Sequence, residues 1–524
     1  MLVVFGIGIR ILDGSSPIPI GDESAHLHRL FELQLSLERH DGLIETAAQL
    51  FIASDAYPNT LYTYTLLFLD QTTSIERARL AVLSLNAVHA TLAMTLGAKI
   101  WGRPAAVGYT AMACFTPVVL AHQQTYLIDV ALAPFLGATL IFAEACKGLQ
   151  HRLWTPFFVL SSAICLLVKW TALIWLAPVT IWVCYSAVSH QQPQAWIRLK
   201  HILILSGIAI AGCCLIAWTS STHWVQSWQP KSDGAGLPFL VIFAGITLCL
   251  MGLKRTESLV NRAVIGLTSI LLIAGPWYAL RMSFLLDRLH HETGLNPLQM
   301  GSLSQKLDRT ITTLFLIIPA GVEWLALGLG CALLLKVNRS AIITRTMCAT
   351  IGVVATFYFL PFNVRYLLPV APIMAGAIIG SWQALSFRKQ WILAAGTALL
   401  TAWTGQAHPQ SKDTPITWST RKMDVAHWVL PSGIGSPPRH LSGQALDTLF
   451  NTLEDLCTGH PCRAHLTENL RGLQDRALVL IGLTRGLNLE FGALCDGPEI
   501  PMEGLDQTLT VCAALYPSKP HLKP

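Results

Sequence analysis

Charge is scarce in this chain of 524 residues: Asp, Glu, Lys and Arg together make up 13%, against 52% apolar residues. With a mean hydropathy of +0.50, that balance excludes a water-soluble enzyme of this size, and the apolar content excludes an intrinsically disordered chain. A basic stripe is also missing. The net charge is +6, but the basic residues stand in twos and threes between apolar runs, which is not the footprint of a nucleic-acid binder. There is no internal repeat, no low-complexity tract, no Walker motif, no Ser-His-Asp set and no H-E-x-x-H. Gly6-Ile7-Gly8 has no strand and helix around it, so it is not a dinucleotide fingerprint. These absences argue against a cytoplasmic energy-coupling machine.

What is present is a series of apolar runs, each of roughly 17 to 24 residues and long enough to cross a bilayer core as a helix. The sequence predicts spans near 79–97, 104–121, 126–145, 154–168, 170–187, 201–219, 237–253, 263–284, 311–335, 343–361, 366–382 and 391–404. The stub Met1 to Leu12 is too short to span and has no basic region ahead of it, so it reads as a shortened first helix or a mis-assigned start rather than a signal peptide. The expected fold is therefore an all-α polytopic membrane protein with about 12 or 13 transmembrane helices.

Loop charge sets the orientation. Lys99 and Arg103 fall on the same side as Lys147/Arg152, Arg198/Lys200, Lys254/Arg255/Arg262, Lys336/Arg339/Arg345 and Arg388/Lys389, so every second loop is basic and that side is cytoplasmic. The segment 13–78, the turns near His122, Lys169 and Arg365, the stretch 220–236 and the loop 285–310 then lie outside. So does the tail 405–524, expected to be a small α/β domain after the membrane domain 1–404. Its predicted strands are Ala477 to Leu483 and Leu509 to Leu515, its predicted helix is 442–456, and a Pro- and Gly-rich turn cluster sits at 431–438. Four of the 13 cysteines, Cys457, Cys462, Cys495 and Cys512, are in the tail, where an oxidising compartment would allow two bridges in any of three connectivities. A zinc site using His460 and Cys462 is an alternative.

A few polar residues stand where apolar chain surrounds them. Asp22-Glu23 opens the first outer segment, and two adjacent carboxylates at a membrane surface require a basic, metal or hydrogen-bonding partner for at least one of them. The pair also suits a helix start, with Asp22 as cap and Glu23 in the first turn of an amphipathic helix running to about Arg39. Asp129 opens an apolar span and must face the protein interior or water. Lys169 interrupts the apolar stretch 154–187, either snorkelling or offering a cation to an anionic headgroup. Arg365 and Tyr366 occupy a tight outer connection and can donate to phosphate oxygens. Trp277, Tyr278 and Arg281 mark another outer helix end, where belt aromatics are common. Glu23, His26 and His291 are candidate ligands for a divalent metal ion, the one cofactor the sequence leaves open.

In collinear order, the Asp22-Glu23 pair, Tyr57-Pro58-Asn59-Thr60-Leu61-Tyr62, Glu76-Arg77-Ala78-Arg79-Leu80, Tyr126 to Ala133, Val168-Lys169-Trp170, Pro276-Trp277-Tyr278 and Arg365-Tyr366-Leu367-Leu368-Pro369 resemble successive motifs of one family. That family is the GT-C glycosyltransferases of the protein O-mannosyltransferase and aminoarabinose-transferase superfamily. The chain departs from the family pattern at Asn59 and Thr60, which replace Pro-Leu, and at Trp170, which replaces a small Gly.

The resemblance implies a bacterial inner-membrane glycosyltransferase with its active site and C-terminal domain on the extracytoplasmic side. It implies a sugar donor linked through phosphate to a polyprenol, and a lipid, protein or polysaccharide acceptor. Asp22 would be the general base, Glu23 would orient it or hold a metal, and Asp129 would orient the acceptor or share the base role. Lys169, Arg365, Tyr366 and Arg281 would hold the donor phosphate. Inversion is expected, since no second carboxylate is placed as a nucleophile. The alternatives are a polytopic transporter using Asp129 and Lys169 as coupling charges, or a catalytically inactive lipid-binding scaffold.

Overall fold

The computed structural model describes residues 22–38, 57–69, 74–116, 119, 126–189, 241–256, 258–294, 368–382 and 385–406, together with six short strands beyond residue 415. The described chain is mostly helical. Helix α1 (Asp22–Glu38) and α2 (Thr60–Leu66) precede the long α3 (Ile75–Trp101). There follow α4 (Arg103–Cys114), α5 (Ile128–Ala145), α6 (Trp154–Val168), α7 (Ala172–Ser189), α8 (241–255), α9 (Leu259–Gly294), α10 (Val370–Trp382) and α11 (Phe387–Gln406). Among the described residues, three helices are long and apolar enough to cross a membrane: α3, α5 and the Leu259–Ala279 part of α9. The predicted spans at 201–219, 311–335 and 343–361 lie outside the described residues.

Helix ends follow local chemistry. Ser74 caps α3, its hydroxyl accepting from the Arg77 N–H at 3.3 Å. Gly102, at φ +90, reverses the chain between α3 and α4, and Pro104 sits in the first turn of α4, where its missing N–H costs nothing. One difference from the sequence reading is the length of α9. The segment 285–294, expected as loop, continues the helix, because no breaker interrupts it before Gly294.

Helix α5 is the centre of the bundle, packed by α3, α6, α7 and α10, while α4 carries α10 and α11 on its flank. The α3–α5 contact is close enough to demand glycine. A Cβ on Gly137 would lie 2.1 and 2.2 Å from the His89 ring atoms Nε2 and Cε1. That ring is held by the Tyr109 hydroxyl at 3.0 Å and by Cys114 Sγ at 3.5 Å. It has no easy retreat. Gly137→Ala is therefore expected to destabilise the protein by about 1–3 kcal/mol through overpacking. Thermal unfolding in detergent checks this, and an unchanged midpoint would show that the helices separate without cost.

At the opposite end of the bundle from the site described below, Lys147, Gly148 and Leu149 all have positive φ. Buried Arg262 fastens this turn to α9, its Nη1 donating to the carbonyls of Leu149 and Gln150 at 2.8 and 2.9 Å. The exposed cations Lys99, Arg103, Arg152, Arg388 and Lys389 lie at the same end, as the charge rule requires of alternating helices.

In the tail, β1 (Ile416–Trp418) pairs antiparallel with β2 (Arg421–Met423). A second sheet has the order β4-β3-β6-β5, from β3 (Cys462–Leu466), β4 (Leu489–Phe491), β5 (Glu499–Pro501) and β6 (Thr508–Cys512). Strand β3 runs parallel to β4 and antiparallel to β6, with Ala464 opposite Val511. Strand β6 coincides with most of the expected strand Leu509 to Leu515. The expected strand Ala477 to Leu483 and helix 442–456 lie outside the described residues.

Candidate active site

Two buried ion pairs define the site, at the end of the bundle where α3, α5 and α7 begin. In the first turn of α1, Glu23 is 4% exposed and Arg79, near the start of α3, is wholly buried. Arg79 grips the carboxylate with two groups, Nε donating to Oε1 at 2.8 Å and Nη2 to Oε2 at 3.0 Å. The backbone N–H of Tyr126 donates to the same Oε1 at 2.6 Å. This is the partner the adjacent carboxylates require. Asp22 heads the same helix, and its side chain lies outside the described residues.

Three residues after Tyr126, Asp129 occupies the first turn of α5, where the helix dipole favours a negative charge. Lys169 Nζ donates to its Oδ1 at 2.5 Å, and both side chains are about nineteen-twentieths buried. Lys169 sits in the break between α6 and α7, with extended backbone, φ −153 and ψ 136. Its ammonium is buried against Asp129 rather than snorkelling to the surface. Removing one member of such a pair would leave an uncompensated buried charge, which is why the two must be kept together.

Aromatic rings join the pairs into one cluster. The Lys169 ammonium lies 5.6 Å from the centroid of the Tyr57 ring, within cation–π range. The same ring meets His26 edge-on at 5.4 Å. His26 Nδ1 is 2.9 Å from the Tyr62 hydroxyl. The Tyr126 hydroxyl is 2.9 Å from Thr65 Oγ1, which itself donates to the Leu61 carbonyl at 2.8 Å. Burial pushes the Tyr62 hydroxyl well above the ordinary tyrosine range, so it remains protonated and neutral and can hydrogen-bond without adding charge to the site.

The residues named from the sequence thus separate into groups. Glu23, His26, Asp129 and Lys169 come together. Arg281 is on α9, one turn beyond Trp277. Arg365 and Tyr366 lie outside the described residues, as does the side chain of His291, whose backbone is in the last turns of α9. Among the described residues no three His, Cys, Asp or Glu side chains gather as a metal would need. Glu23 already accepts three hydrogen bonds, and His26 Nδ1 faces Tyr62. Glu23 and His26 as they stand do not fit a metal centre.

Arg79, Tyr57, Tyr62 and Tyr126 were not singled out as site residues. The signal for Arg79 was available: a lone Arg inside the start of an apolar span, with an unpartnered acid elsewhere on the same side of the membrane. Tyr57, Tyr62 and Tyr126 fall within the family-like motifs, but a motif match does not say which of its rings enters the site.

Fold and site together define a class: a helical protein with membrane-length helices and a buried, charge-paired polar cluster at one end of its bundle. No family model matches the chain, and no curated protein matches it. Among solved structures, the crystal structure of ArnT from Cupriavidus metallidurans bound to undecaprenyl phosphate is similar at 13% identity, over 97% of this chain and 96% of that one, with a TM-score of 0.31. At that TM-score the likeness assigns no role to any residue.

Proposed function

We propose that this chain is an integral-membrane glycosyltransferase that moves a sugar from a polyprenyl-phosphate-linked donor to an acceptor hydroxyl on the extracytoplasmic face of a bacterial inner membrane. The observation that carries the reading is the pairing of Glu23 with Arg79 and Asp129 with Lys169 around one tyrosine-lined cluster. Ionisable groups in membrane-length helices are costly and are kept where chemistry or transport needs them.

In this reading Asp22 is the general base. It takes the proton of the acceptor hydroxyl as the acceptor oxygen bonds to the anomeric carbon from the face opposite the phosphate. The bond between that carbon and the phosphate oxygen breaks, and its electron pair leaves with the lipid phosphate. Arg365, Tyr366, Arg281 and Lys169 stabilise the charge that grows there. Glu23 is a positioning residue, fixing the start of α1 and with it Asp22. Asp129 holds Lys169 and orients the acceptor. The single displacement inverts the sugar carbon, and no step runs through a metal. The membrane domain 1–404 supplies these residues, and the tail 405–524 is a separate outer domain.

The test is transfer from a panel of polyprenyl-phosphate sugars by the purified full chain in lipid, wild type beside Arg365→Ala. Wild-type turnover of at least one donor, lowered by about a hundredfold in the variant, is the expected result. Lipid binding with no turnover across the panel would move the chain to the scaffold class, and substrate movement without bond cleavage to the transporter class.

A further inference from the structure

Helices α6 and α7 both pack on α9. The contact is fixed near the site by the Tyr278 hydroxyl, which donates to the Leu166 carbonyl at 3.0 Å. Leu166 is three residues before Lys169, so the Pro276-Trp277-Tyr278 stretch stands within one helical turn of the α6–α7 connection. Trp277 is 3% exposed, and its indole N–H is buried with no hydrogen-bond partner among the described residues. Trp170, which follows Lys169, buries its own indole nitrogen in the same unpartnered state.

Two orphaned donors beside one connection call for an acceptor. An indole nitrogen only donates, so no rotation or change of protonation state can satisfy it. Both nitrogens are closed off from solvent, so bulk water does not serve as the partner. On α9, Ile273 is buried in the apolar cluster that α6 and α7 share. Trp277 and Arg281 follow at steps of four, which places neighbouring members of the row on one helix face. The face that meets α6 and α7 therefore carries an indole donor and, one turn further out, a guanidinium.

We infer that the indole N–H groups of Trp170 and Trp277 are hydrogen-bond donors to the oxygens of a phosphate ester bound between α9 and the α6–α7 connection. The class of ligand follows from the donors. Neutral N–H groups bring no charge that must itself be desolvated, and bonds to an ionised oxygen are short and strong in such surroundings. Arg281, one turn beyond Trp277 on α9, brings positive charge to the same end of the helix, while Lys169 keeps its pair with Asp129. The inference rests on the proposed donor chemistry and deepens it, adding two residues to the phosphate subsite.

The experiment uses the full chain in dodecyl maltoside, which carries no phosphate, with ¹⁵N-labelled tryptophan, titrated separately with a polyprenyl monophosphate, phosphatidylglycerol and inorganic phosphate. Trp170→Phe and Trp277→Phe keep an aromatic ring, remove the N–H and assign the two indole resonances. Polyprenyl monophosphate is expected to shift both wild-type resonances downfield, and each variant to weaken its binding about tenfold. The wild-type shifts are read even if a variant folds poorly. Unmoved resonances with wild-type affinity in both variants overturn the inference while the donor reading stands. If phosphatidylglycerol or inorganic phosphate moves the resonances and the polyprenyl ligand does not, the phosphate subsite stands and the donor reading falls. Binding of none of the three overturns both.

Discussion

Asp22→Asn is expected to lower sugar transfer by about 10²- to 10⁴-fold, the range over which a positioned general base contributes. The substitution isolates proton removal well, because Asn caps a helix about as well as Asp does. With the charge goes its interaction with the dipole of α1, about 0.3–1 kcal/mol. The Glu23–Arg79 pair that anchors the helix is untouched. Thermal unfolding should thus stay near wild type while turnover collapses, and donor binding should persist. Full activity in Asp22→Asn would remove this residue from the chemistry and turn attention to Asp129.

Arg79→Met should give the largest loss of stability, about 3–5 kcal/mol, because it strands the Glu23 carboxylate in a site almost closed to solvent. The double variant Glu23→Gln with Arg79→Met should recover much of that loss, since a neutral amide can keep the bond from the Tyr126 N–H. Activity should not return with it. Glu23 and Arg79 tie α1 to α3, and the Tyr126 contact ties both to the start of α5, so the pair sets where Asp22 stands. Unfolding midpoints in detergent and transfer rates for the two variants beside wild type separate the two effects. Equal midpoints for Arg79→Met and wild type would show that the pair contributes no stability.

Much of the helical layout was legible because span length and charge alternation are local or nearly local. The start of α1 at Asp22 follows from the acidic pair. The break at Lys169 follows from a lone cation inside an apolar stretch, and the opening of α5 from Asp129. The far end of α9 was misjudged: the charged and histidine-rich run after residue 284 reads as loop by composition, yet nothing in it prevents helix before Gly294. Composition reports where a segment is comfortable, while helix termination needs a backbone reason.

The site was legible in part. Glu23, Asp129 and Lys169 stood out by cost, because an ionised group among apolar neighbours requires a partner. Which partner each has was not legible, since Glu23 and Arg79 are 56 residues apart and Asp129 and Lys169 are 40 apart. Spacing rules act within one helix or hairpin and say nothing across such separations. Likewise Gly137 reads as an ordinary small residue until the His89 ring is found against it.

The sequence by itself determined a membrane-length helical protein, its alternation of basic loops and the polar residues that must be compensated. The reason is that bilayer thickness and the cost of burying charge act on each segment separately. Tertiary structure alone decided the pairing of Glu23 with Arg79 and of Asp129 with Lys169, the tyrosines that join the two pairs, and the unpartnered indoles beside them. Those depend on which faces of α1, α3, α5, α6 and α9 meet, a choice made by packing many side chains at once.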